Sequence, residues 1–63
     1  MVFRALRNEE GNRVVYRIKN LFTKNITEHR AFLDSDNNIC LMNGSSFIRV
    51  SDILNTHKVV AIV

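Results

Sequence analysis

The sequence contains no proline, two glycines and a single cysteine among its 63 residues. One cysteine, Cys40, excludes an intrachain disulfide, and no CxxC or paired Cys/His spacing suggests a zinc site. A lone thiol fits a reducing cytoplasm. Gly11 and Gly44 are each needed for a turn, which leaves no glycine-rich loop to cradle a phosphate. The longest apolar run, Val59 to Val63, is far short of the ~20 residues that cross a bilayer. MVFRALRN is too polar and too short to supply the core of a signal peptide. With no proline, repeat or low-complexity segment to mark a linker, residues 1–63 read as one small domain. The expectation is a cytoplasmic protein without cofactor, metal or membrane association.

What is present is apolar residues, at 46%, and a modest net charge of +3. A chain this short buries only about 60% of its unfolded surface. Small scaffolds without disulfide or metal often lean on association, so a homo-oligomer or a protein partner is expected. The charge is uneven. Residues 1–24 hold six cations against two carboxylates, whereas residues 25–63 hold three against four. A basic half permits a polyanionic partner, RNA or DNA included.

The patterning predicts a mainly β fold: a small antiparallel sheet, or an SH3/Sm-like barrel, built from hairpins. VFRALRN and RVVYRIK flank the loop EEGN. Partners across that hairpin are expected to be Phe3 with Ile18, Ala5 with Tyr16 and Arg7 with Val14. The opposite face then carries Val2, Arg4, Leu6, Val15, Arg17 and Lys19, with Arg4 set against Arg17. A second hairpin turns at Asn43-Gly44, a strong type I′ signal. It pairs Leu41 with Ser46, Cys40 with Phe47, Ile39 with Ile48 and Asn38 with Arg49, and puts Ile39, Leu41, Ile48 and Val50 on one face. Between the hairpins, residues 22–33 read either as a bent strand or as a short helix near 25–33, since Phe22, Ile26, His29 and Leu33 keep helical spacing. SDILN suits one helical turn capped by Ser51. KVVAIV reads as a strand covered on both faces.

Catalytic chemistry finds no support. No activating motif surrounds Cys40, and His29 and His57 lie in unremarkable contexts. Asp34, Asp36 and Asn38 match the first, third and fifth positions of a calcium loop, but Ile39 replaces its glycine and Ser45 its final glutamate. Asp and Asn are also ordinary turn formers.

Two stretches, Asp34-Ser35-Asp36-Asn37-Asn38-Ile39-Cys40-Leu41 and Ile48-Arg49-Val50-Ser51-Asp52-Ile53, resemble the two motifs of the Sm-like small-barrel family. The resemblance covers residues 13–53. Val50 stands where the family has glycine, and Asn37 where it has a base-stacking residue. The resemblance implies an RNA-binding ring in which Asp34, Asn38 and Arg49 grip a base edge or phosphate. For Arg49 the alternative is an ion pair with Asp36 or Asp52.

Two functional expectations follow. The first is a non-enzymatic protein-interaction or regulatory module, acting through a sheet edge or an apolar surface of Leu6, Val15, Met42 and Phe47. The alternative is a nucleic-acid-binding module using Arg4, Arg17 and Lys19 on one sheet face, with Asp34, Asn38 and Arg49. A short, single-domain chain of this style suits a bacterial or phage accessory protein.

Overall fold

The computed structural model describes residues 2–63. The chain is mainly β: β1 (Arg4–Ala5), β2 (Val15–Asn20), β3 (Ile26–Leu33), β4 (Ile39–Asn43), β5 (Ser46–Arg49) and β6 (His57–Ile62). One 3-10 turn, Val50–Asp52, joins β5 to β6. The strands form an antiparallel sheet ordered β5-β4-β3-β2-β6, with β1 beside β3. β5 and β6 remain edges, so the sheet is open and the barrel alternative does not hold. The helix alternative for residues 25–33 gives way to β3, the longest strand.

β3 is the spine of the fold. Its first half pairs with β2, from Val15↔Arg30 to Lys19↔Ile26. Its second half pairs with β4 on one side and with β1 on the other. Where β2 leaves β3 and β1 takes over, three 3.0 Å hydrogen bonds close a triangle: Leu6 N–H to Ala31, Ala31 N–H to Val14, and Val14 N–H to Leu6. Tyr16, Ile18, Ala31 and Leu41 form the buried core, with Leu6, Val14, Ile39, Val50, Ile53 and Val59 packed against it.

The first hairpin is shorter than expected and shifted by one residue. Asn8 pairs with Asn12 and Arg7 with Arg13, and β1 then departs to β3. Side chains alternate along a strand, so a one-residue shift exchanges faces. Leu6 therefore turns to the core; and because β1 pairs with β3 rather than with β2, Arg4 faces Leu33 and Arg17 faces Glu28 rather than Arg4. The second hairpin also turns one residue later than expected, pairing Asn43 with Ser46, Leu41 with Ile48 and Cys40 with Arg49. Gly44 has φ +63° and Ser45 has no positive φ, the pattern of a type II′ loop with glycine leading. Moving this turn by one residue shifts every partner by two, which preserves the faces.

Two hairpins share one loop design. Asn8 Oδ1 accepts the amides of Glu10 and Asn12, and Asp34 Oδ1 those of Asp36 and Asn38. In each the third loop residue, Gly11 or Asn37, is left-handed. The acidic, amide-rich stretch is thus a hairpin connection whose side chains replace missing backbone partners. The helical turn begins at Val50 without a side-chain cap, so Ser51 does not cap it. β6 is an edge strand, with Val60 and Ile62 exposed, not a strand covered on both faces.

Candidate functional site

Asp34, Asn38 and Arg49 do come together. Asp34 is 1% exposed. Beyond its two amide partners, its Oδ2 accepts from Asn38 Nδ2 at 3.3 Å and from an Arg49 guanidinium nitrogen at 3.4 Å. The Asn38 amide, foremost, holds its carboxyl below the ordinary 3.8, against the opposing effect of burial; Asn38's side chain, the Asp36 amide and the Arg49 charge add to the lowering. Arg49's partner is therefore Asp34, not Asp36 or Asp52. Cys40 stands opposite Arg49 and is buried, which raises its thiol pKa above 9.0, and the nearby Asp34 charge raises it further. Phe3, Asp34, Cys40, Phe47, Arg49 and Asp52 line a shallow depression of ≈ 310 Å³. The polar groups of this cluster are largely spent on one another, and what they achieve is to pin the β3–β4 loop to the end of β5.

The four apolar positions do not form one surface. Leu6 packs against the core. Met42 and Phe47 are cross-strand partners, and the Phe47 ring is stacked on Phe3 at 3.9 Å. Val15 lies elsewhere, between Arg30 on β3 and Val63 at the end of the chain.

A different face emerges from the sheet order. On the outer side of β3-β2-β6, Arg30 lies beside Val15, Arg17 between Glu28 and Ala61, and Lys19 between Ile26 and Lys58. Arg17, Lys19, Arg30 and Lys58 thus share one face, on which Glu28 is the one acidic side chain among the described strand residues. That carboxylate is 3.7 Å from Arg17. Steps of two residues along a strand cover about 6.8 Å. The cations therefore run as a track along β2: Arg30, then Arg17, then the Lys19–Lys58 pair.

The other cations are engaged. Arg4 donates to Asn37, Arg7 to the Gly11 carbonyl and Arg49 to Asp34, while Arg13 sits 5.0 Å over the Phe32 ring. Among the described residues, Lys19, Lys24, Arg30 and Lys58 have neither ion pair nor hydrogen-bonded side-chain partner. All four lie on this face or at its tip. Lys19 and Lys58 are direct cross-strand neighbours, an arrangement that costs stability in isolation.

Sequence reasoning found Arg17 and Lys19 but placed Arg4 with them and missed Arg30 and Lys58. The signal for Arg30 was available. Reading Asn20 to Asn25 as a hairpin connection sets Arg17 opposite Glu28 and brings Arg30 onto the same face. Nothing local marks Lys58, because β6 joins β2 from 37 residues away at the Asn20↔His57 pair. No helix is long and apolar enough to cross a membrane among the described residues. Comparison with protein-family models, with curated proteins and with solved structures gives no match.

Proposed function

We propose that the protein is a small non-enzymatic binding module whose ligand is a nucleic acid, held on the outer face of β3-β2-β6. The observation that supports this reading is the segregation of unpartnered cations: Lys19, Arg30 and Lys58, with Lys24 at the tip, collect where one carboxylate opposes them. A linear polyanion fits a track of charges along a strand, and phosphates relieve the apposition of Lys19 and Lys58. The experiment is a titration of labelled single- and double-stranded oligonucleotides at low salt, with wild type and with Lys19→Glu/Lys58→Glu. Binding that the double variant abolishes is the expected result; absence of wild-type binding contradicts the reading.

A second reading rests on a separate observation. β6 is an edge strand whose Val60 and Ile62 are 41% and 59% exposed, and Val63, just past its end, is 56% exposed. An unpaired apolar edge invites strand addition. A second copy of the chain is the simplest occupant: antiparallel pairing of β6 with its symmetry mate leaves both basic faces on the same side of a continuous sheet. The two readings are compatible, since one uses an edge and the other a face.

A further inference from the structure

Of the five aromatic side chains, four are engaged within the fold. Tyr16 is in the core, and Phe3, Phe32 and Phe47 pack on one another, with ring centroids 3.9 Å and 5.1 Å apart. Phe22 is 78% exposed, more than any other large apolar side chain among the described residues. A lone exposed apolar residue needs no explanation by itself. The loop that presents this one does. Asn20 Oδ1 accepts the amides of both Phe22 and Thr23, at 2.9 and 3.1 Å. The Asn20 carbonyl accepts the Lys24 amide, Thr23 Oγ1 accepts the Asn25 amide, and Leu21 N–H reaches the Thr56 carbonyl. Phe22 is thus held out on a pinned backbone rather than on a loose tip.

Lys24 supplies a second observation. It occupies a left-handed position, φ +67°, where glycine or asparagine fits with less strain. The other left-handed positions among the described residues are Gly11, Asn37 and Gly44, each a glycine or asparagine. A lysine there carries backbone strain and puts a cation two residues from Phe22 in the same loop. The tip follows directly on Lys19, at the end of the cation track.

We infer that Phe22 is a base-stacking platform and that the ligand of the basic face is single-stranded nucleic acid. The inference rests on the proposed function and names its ligand class. Bases in a duplex are stacked on one another and offer no face to a single projecting ring, whereas an unpaired base does. A track of cations along the sheet, ending at an aromatic side chain, matches a phosphate backbone that leads one unstacked base onto the ring.

The test is fluorescence anisotropy with a labelled single strand and with its duplex, using wild type and Phe22→Ala, Phe22→Leu and Phe22→Trp. Circular dichroism checks that each variant keeps the wild-type fold. Phe22→Ala is expected to weaken single-strand binding about tenfold, to leave duplex binding within about twofold and to leave the salt dependence unchanged. Phe22→Leu follows Ala, and Phe22→Trp restores or exceeds wild type. Single-strand affinity unchanged in Phe22→Ala overturns the inference while leaving the charge-based reading intact. Full affinity in Phe22→Leu also overturns it, by showing that apolar contact suffices. Wild type that ignores oligonucleotides but binds anionic phospholipid vesicles through Phe22 removes both proposals in favour of a membrane surface.

Discussion

Lys19 and Lys58 stand directly opposite each other across the β2–β6 ladder, on a face whose one carboxylate is already beside Arg17. Like charges in this position oppose folding by roughly 0.2–1 kcal/mol. Lys58→Glu replaces the repulsion with an attraction. It should raise the urea midpoint while weakening oligonucleotide binding and flattening its salt dependence. Lys24→Gly should show the same opposition by another route, gaining about 0.5–1 kcal/mol by removing a strained left-handed side chain. Denaturant titration beside anisotropy, on the same samples, checks both. A variant that loses stability and binding together points to a structural role instead.

The paired loops give a pH prediction. Asp34 and Asn8 make the same two amide contacts, but Asp34 is charged, buried and also joined to Asn38 and Arg49. Its folded-state pKa lies below 3.8, so its charged form favours the folded protein. That contribution is complete above 3.8 and fades as the pH falls from there through the folded-state value. Asp34→Asn keeps an oxygen for the two amides and loses the charge. Its midpoint should lie below wild type at neutral pH, with the gap closing in acid. Asn8→Ala should cost about 1 kcal/mol at every pH. A pH-independent gap for Asp34→Asn contradicts the assignment.

Much of the fold was legible because hairpins are local. Alternation located β2, β4 and β5, and Gly44 marked the second turn to within one residue. That error was harmless, since shifting both partners together leaves Ile39, Leu41, Ile48 and Val50 on one face. The first hairpin was less forgiving: taking its loop as four residues rather than three exchanged the faces of Leu6 and Ala5. The transfer of β1 from β2 to β3 at the Leu6–Val14–Ala31 triangle was not legible, because it depends on a strand far along the chain. The same limit hid Lys58. Arg17 and Lys19 were visible as an alternating pair, yet their partners on β3 and β6 are set by tertiary pairing alone.

Cys40 should behave as an inert core thiol. It is 4% exposed, its thiol donates weakly toward the Asn38 carbonyl at 3.8 Å, and its pKa is raised. Thiolate is the reactive form. Labelling by a thiol-disulfide reagent at neutral pH should therefore be slow in buffer and accelerate across the urea transition, tracking unfolding. Rapid labelling of the native protein contradicts the burial.

The β6 edge should make association concentration-dependent. Ile62→Lys places a charge on an exposed apolar position of that edge, with little loss of core packing. Sedimentation velocity should show wild type gaining mass with concentration and Ile62→Lys remaining a monomer. Equal masses for the two at all concentrations remove the strand-addition reading without touching the basic face.

The most direct test is the salt dependence of wild-type binding to a labelled single-stranded oligonucleotide. Four phosphate contacts, by Arg17, Lys19, Arg30 and Lys58, predict that log K falls with log salt at a slope of about −3. Lys19→Glu/Lys58→Glu should cut that slope by about half. A wild-type affinity that is absent at low salt, or that does not change with salt, contradicts the account.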